Sequence, residues 1–411
     1  MTDYDDLFET TAPDNTLFID KRALDPLAGP AEIVARDAQQ SKLARLLNGV
    51  HEGYLPTTVS IYGPPGTGKT LTTRRVCREF AARSDVVAVE YVNLKECRTL
   101  FSAANEILFE LAGEKKGAYE GIDGVFEGIW DALEAYPEWP ILILDEIDHL
   151  TQDSNYDPND FFYRLLRGEG KLKRGLNLSV IMISNELLEV DLRLDSRVQS
   201  AMDGEEVYFP PYGMVDLEAI VTPQLDQAFV DGAIPEEVRE YGVREAARRW
   251  GDARKALRLF RQAGETATER ELDQVTRECV EVNLEATEQA AVTEKLLGLP
   301  LNHFLVLVGI TGWDRGGAIK QPVRTNEVVE ALADPDAPQS TQLGERAVRN
   351  ILTELETMGL VETWINSRGR EGRIKQIKTT FAPQWVRAAI PLYFDATVHT
   401  DPMALSTDVT E

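Results

Sequence analysis

Apolar residues fall along the chain in two alternating rhythms. Runs nearly continuous in aliphatic and β-branched residues occupy 57–62, 86–92, 141–144 and 178–184, and a shorter β-prone run occupies 206–209. Each has the length of a strand, and such unbroken runs suit parallel strands buried on both faces, 86–92 among them. Between the runs, apolar residues recur three and four apart, which predicts helices over 31–47, 71–82, 100–112 and 125–135. In the first of these Ile33, Ala38, Leu43 and Leu46 share one side. A loop holding Gly113, Gly117, Gly121 and Gly124 separates the third and fourth helices, and Pro137 and Pro140 punctuate the chain before the third strand. Strands alternating with helices predict an α/β core with a helix-covered parallel sheet.

The rhythm changes after residue 212. From 217 to 283 alanine, leucine, glutamate and arginine dominate, broken at Pro235 and Gly251, which predicts a small helical lid. From 299 to 381 the pattern gives helices over 301–310, from Thr325, and over 343–358 up to Gly359, then a hairpin of 360–365 and 374–379. Three helices and a hairpin suit a winged helix. In its third helix Leu343, Ala347, Ile351, Leu352, Leu355 and Met358 form the apolar face. Arg346, Arg349, Asn350 and Thr353 are left outward, either to meet a DNA groove or as a solvated face. The chain thus divides into an acidic tail (1–20), an α/β core (21–212), a lid (213–295), a winged-helix domain (296–395) and a second polar tail (396–411).

Charge complicates any nucleic-acid partner. The 411 residues carry a net charge of −26, with a pI near 4.6, although phosphate neutralisation dominates DNA binding. The acids are spread through every segment and arginine outnumbers lysine, which reads as adaptation to concentrated salt; an acidic protein working at ordinary salt is the alternative. One segment runs against the trend. Arg368, Arg370, Arg373, Lys375 and Lys378, against the single acid Glu371, give five minus one, or +4, around Gly369 and Gly372. No apolar run is long enough to span a bilayer and the first residues are acidic where a signal peptide is basic, so the reading is cytoplasmic, nucleoid-associated and without a membrane partner. Cys77, Cys97 and Cys279 have no paired spacing for zinc or a disulfide framework.

The chemistry is concentrated at strand ends. Gly63-Pro64-Pro65-Gly66-Thr67-Gly68-Lys69-Thr70 is a phosphate-loop pattern between a strand and a helix. Its glycines let backbone N–H groups curl around a β-phosphate, Lys69 adds a full charge, and Thr70 is placed to ligate magnesium, so the cofactors are ATP or ADP with Mg2+. About eighty residues on, a buried strand delivers Asp145 and Glu146, a Walker-B pattern. Asp145 can hold the magnesium and Glu146 can polarise the attacking water; an acidic strand end alone would equally suit a solvated turn. Asn185 closes the next strand, where it can orient the water or simply cap the strand. Gly251-Asp252-Ala253-Arg254 reads as a turn and helix N-terminus, Asp252 favouring the exposed N–H groups and Arg254 standing in the first turn, where without context it reads as a solvated arginine on a helix.

These motifs, in this order with Arg197 and Pro210-Pro211-Tyr212, resemble the AAA+ ATPases. Within them the pattern resembles the archaeal replication initiators, related to origin recognition complex subunit 1 and cell division control protein 6, over about residues 20–390. The resemblance implies an AAA+ P-loop core with a helical lid and a C-terminal winged helix. It gives Asn185 the sensor-1 role, Arg254 the sensor-2 role and Arg197 that of an arginine finger, and it places Arg36, within Val34-Ala35-Arg36-Asp37, and Tyr212 beside the nucleotide. It implies slow ATP hydrolysis as a switch and double-stranded origin DNA as partner, with the replicative helicase and other initiator copies. The basic tip, Arg368 to Arg373 with Lys375, takes the place of the family's wing. The family also carries a DNA-contacting motif ahead of the Walker-B strand, where residues 113–139 have only Lys115 and Lys116 as basic residues. A nucleotide-gated transcription regulator and an AAA+ branch-migration or clamp-loading motor share the layout; a motor should form a stable ring and turn ATP over quickly.

Overall fold

The structure, a computed structural model, describes residues 17–25, 32–152, 157–167, 176–185, 204–311, 321–333, 343–367 and 373–398. The chain forms two compact units, Met1–Glu281 and Val282–Glu411.

In the first unit, strands β1 (Thr58–Tyr62), β2 (Val87–Asn93), β3 (Trp139–Asp145), β4 (Ser179–Ser184) and β5 (Glu205–Tyr208) form a parallel sheet in the order β2-β3-β4-β1-β5. The period-2 alternation of a strand sorts β3 between two cores. Leu142 and Leu144 face one cluster with Phe126, Phe161 and Phe162, while Ile141 and Ile143 face the other with Leu43 and Cys77. The central strands β3 and β4 are buried throughout. The expectation for β2 needs correction: it is the edge of the sheet, so only Val87 and Val92 are buried.

The covering helices are α1 (Asp37–Asn48), α2 (Lys69–Ala81), α3 (Leu100–Ala112), α4 (Gly121–Leu133) and α5 (Pro158–Arg167). Three differ from the sequence pattern, which gives no helix at α5. Helix α1 begins at Asp37 rather than 31, because Ala35 adopts a left-handed φ of 59° that no helix continues. Helix α4 begins at Gly121 and runs through Gly124; its buried face of Ile122, Val125, Phe126 and Ile129 outweighs a cost of about 1 kcal/mol per glycine. Helices α6 (Met214–Ala228), α7 (Glu236–Arg249), α8 (Ala253–Glu269) and α9 (Arg277–Leu297) follow, and the border between the units falls inside α9.

Residues 17–20, expected in the solvated tail, are anchored. Leu17 and Phe18 are buried, the Phe18 ring stands 4.5 Å from Phe229, and Ile19 N–H donates to Ala228 O at 2.7 Å. The acidic residues of this stretch hid two apolar ones that find a pocket on the lid.

The second unit contains α10 (Leu301–Ile310), α11 (Thr325–Ala333), α12 (Glu345–Thr357) and a final helix α13 (Gln384–Val398), with strands β6 (Val323–Arg324), β7 (Val361–Ser367) and β8 (Arg373–Thr379) in an antiparallel sheet of order β6-β8-β7. The sequence pattern gives no helix for α13, which takes in residues 396–398 of the expected tail. Tyr393 stacks on Phe304 at 4.0 Å and donates its hydroxyl to Leu299 O at 2.7 Å, so tertiary packing holds it. On α12 the buried residues are Val348, Ile351, Leu352 and Leu355. Val348 therefore belongs to the core, whereas Met358, assigned to the apolar face, is 47% exposed just past the end of the helix.

Candidate functional site

Parallel strands end on the same side of their sheet, and there the chain places residues 63–70 after β1, Asn93 at the end of β2, Asp145 at the end of β3 and Asn185 after β4. Gly68 caps α2 with a φ of 84°, and a Cβ there would fall 2.7 Å from the Tyr212 hydroxyl, so this turn requires glycine. Thr67 Oγ1 donates to Pro64 O at 2.8 Å and closes the loop.

Lys69, only 8% exposed, donates through Nζ to Gly63 O at 2.6 Å, Pro64 O at 3.0 Å and Asn185 Oδ1 at 3.3 Å. Burial, and then the positive charge of Arg254, hold its pKa below the usual lysine value. Asn185 in turn donates to Asp148 Oδ2 at 2.9 Å, so its amide belongs to a Lys69-Asn185-Asp148 chain. Thr70 Oγ1 donates to Asp145 Oδ2 at 2.7 Å. Glu146 has a left-handed φ of 57°, sparsely populated for a side-chain-bearing residue, and its N–H donates to Asp145 Oδ1 at 3.0 Å.

The lid meets the same turn. Asp252, 4% exposed, caps α8 by accepting from the N–H groups of Arg254 at 2.8 Å and Lys255 at 3.1 Å, and it packs on Gly66. Arg254 stands mostly exposed, its Nε 3.9 Å from Asp252 Oδ1. Arg36 is buried beneath the loop. Its Nε donates to Thr67 O and its second guanidinium nitrogen to Pro210 O, both at 2.8 Å, and the group lies 3.7 Å from the Tyr212 ring centroid. Burial pulls its pKa down, and burial raises that of Tyr212. Arg36, Thr67 and Tyr212 are thus one packed group. Arg197 lies outside the described residues.

Among the described residues, no set of three or more His, Cys, Asp or Glu side chains is arranged to hold a metal ion. The hydroxyl and carboxylate oxygens of Thr70 and Asp145 are hard donors that fit magnesium sharing its shell with phosphate oxygens. Sequence reasoning missed Tyr91, whose hydroxyl donates to Asp145 Oδ2 at 2.8 Å. Burial and then the Asp145 charge push its pKa up to about 12, so it remains a donor. Its signal was positional: Tyr91 lies opposite Ile143, and Asn93, two residues on, lies opposite Asp145.

In the second unit Arg346, Arg349 and Asn350 are exposed on α12, with Arg349 paired to Glu345 at 2.5 Å. Arg373 opens β8, while Arg368, Gly369, Arg370 and Gly372 lie outside the described residues. The local +4 is partly offset across the fold, because Lys375 stands 3.9 Å from Glu356 and Lys378 2.9 Å from Glu362. In the first unit Lys115 pairs with Glu106 at 2.6 Å, and Lys116 with Glu114 at 3.2 Å and Glu120 at 3.8 Å. No helix among the described residues is long and apolar enough to cross a membrane.

Comparison with known proteins places this geometry. Residues 55–188 match the AAA domain model and residues 218–284 the Cdc6 AAA+ ATPase-type lid domain model. The chain is 32% identical over 392 residues to the ORC1-type DNA replication protein of Pyrococcus abyssi, covering 93% of this chain and 92% of that protein. It is 32% identical over 383 residues to ORC1-type DNA replication protein 1 of Methanosarcina acetivorans, covering 91% and 90%. Among solved structures it is similar to the Aeropyrum pernix ORC1 protein in complex with DNA, with a TM-score of 0.70, 30% identity, and coverage of 94% of this chain and 99% of that one.

Proposed function

The chain belongs to the family of ORC1-type DNA replication proteins, and from that premise we propose that it recognises double-stranded origin DNA, initiates replication there, and uses slow ATP hydrolysis as its switch. The observation that carries the nucleotide half is the joining of Lys69 to Asn185 and of Thr70 to Asp145 at the ends of three neighbouring strands. In this reading the N–H groups of residues 63–70 and the Lys69 ammonium hold the β- and γ-phosphates. Magnesium, when bound, neutralises charge on those phosphates, and Thr70 and Asp145 would hold it. Glu146 orients and polarises the water, Asn185 steers Lys69, and Arg254 carries the lid's charge toward the γ-phosphate. Arg36 and Tyr212 line the adenine side, and Arg197 reaches the nucleotide of a neighbouring copy.

The winged helix supplies the DNA half, with Arg346, Arg349 and Asn350 on the helix and Arg368, Gly369, Arg370, Gly372, Arg373 and Lys375 at the wing. The replicative helicase and other initiator copies are the protein partners, in the cytoplasm at the nucleoid. The pairing of Lys115 and Lys116 with acids supports a core that adds little to DNA binding. The dispersed negative charge suits work in concentrated salt.

Genome-wide chromatin precipitation of the native protein tests this reading. Peaks at a few intergenic repeats where replication starts are expected. Peaks spread over promoters would move the assignment to a nucleotide-gated transcription regulator.

A further inference from the structure

Asp145 is buried, at 3% exposure, and its two oxygens accept from three donors. Glu146 N–H reaches Oδ1 at 3.0 Å, while Thr70 Oγ1 at 2.7 Å and the Tyr91 hydroxyl at 2.8 Å converge on Oδ2. A threonine that gives its hydrogen to a carboxylate turns its lone pairs outward, toward a cation. That presentation depends on where Oδ2 stands, and Thr70 alone does not set it.

We propose that Tyr91 is a positioning residue for the magnesium-holding pair: its hydroxyl fixes Asp145 Oδ2 so that Thr70 presents its lone pairs to the metal. The inference rests on the reading of Thr70 and Asp145 as that pair. Tyr91 is itself held from two sides, by the Arg74 guanidinium 4.0 Å from its ring centroid and by Asn93 Nδ2, which donates to its hydroxyl at 3.3 Å. A side chain so braced and aimed at a single carboxylate oxygen fits the supporting shell of a metal site. Loss of such a partner weakens metal binding about tenfold or more.

The test uses the full-length protein with a fluorescent ADP. Binding is measured first in EDTA and then over a magnesium titration, for wild type and Tyr91→Phe, which keeps the ring on Arg74 and removes only the hydroxyl. Tyr91→Phe is expected to bind ADP in EDTA as wild type does and to need about tenfold more magnesium for its half-maximal response. Arg74→Leu, which unbraces the ring and leaves the hydroxyl, is expected to shift the half-point in the same direction by less, and decides the matter if Tyr91→Phe does not fold. A half-point unchanged or lowered in the variant that folds overturns the inference while leaving the nucleotide site standing. Failure of wild type to bind ADP under either condition overturns the nucleotide reading, and this inference with it.

Discussion

The Asp252 carboxylate lies directly against Gly66: a Cβ built on Gly66 would stand 1.8 Å from Asp252 Oδ1 and 1.9 Å from its Cγ. Ala253 N–H also donates to Gly66 O at 3.3 Å, so the first turn of the lid helix rests on the phosphate loop. Gly66→Ala should therefore meet two obstacles. The left-handed φ of 74° costs a Cβ-bearing residue about 1–2 kcal/mol, and the clash with Asp252 adds about 1 kcal/mol or more. In an Asp252→Gly background only the first should remain. Urea melts of the four proteins check this, and additivity within about 0.5 kcal/mol would contradict the contact.

Catalysis divides between holding and activating. Glu146→Gln is expected to keep ATP binding while losing hydrolysis by about 100-fold or more, because the amide cannot polarise water as the carboxylate does. Lys69→Ala is expected to lose both, since its Nζ stands among Gly63 O, Pro64 O and Asn185 Oδ1 at the loop's centre. Single-turnover assays with radiolabelled ATP provide the measurement. Equal turnover in wild type and Glu146→Gln would remove Glu146 from its role.

The segment ahead of the core should matter to stability. Phe18 is buried, its ring tilted by 34° against that of Phe229, and it is flanked by backbone hydrogen bonds from Ile19 to Ala228 and from Val230 to Leu17. Phe18→Ala is expected to destabilise the first unit by about 3 kcal/mol, the usual cost of emptying a phenylalanine pocket. Thermal melting with and without the substitution measures it, and an unchanged melt would show that the lid does not depend on this anchor.

The wing joins the charge argument to DNA. In concentrated salt long-range attraction is screened, so affinity there must come from shape fit, groove-inserted arginines and contacts made at close range. Replacing Arg370 and Arg373 together with alanine is expected to weaken specific binding by about 2–5 kcal/mol, with Arg346 and Arg349 contributing less if they meet only phosphates. Fluorescence anisotropy with an origin duplex and a scrambled one, in molar potassium chloride and again at low salt, is the assay. A double variant that still separates the two duplexes as wild type does would mean the wing is not the reader.

What the chain determines locally, its sequence states locally. The phosphate loop, Asp145, Asn185 and the Asp252 cap each sit where a strand meets a turn or a turn meets a helix, and the residue types that such junctions require are few. Helix α10 was legible to the residue, since its apolar run begins after Pro300 and ends at Thr311. Packing between distant segments decided the rest. The edge position of β2 follows from sheet order, which no strand carries in itself. Leu17 and Phe18 lay hidden among acids because their pocket is built more than two hundred residues away, by Phe229. Two lysines of the basic hairpin read as free charge in the sequence, but the fold sets Glu356 and Glu362 beside them. Tyr91 looked like one more β-prone aromatic until parallel pairing brought its strand against β3 and its hydroxyl to Asp145. A hydrogen bond spanning 54 positions has no local signature, and only the sheet's register could create it.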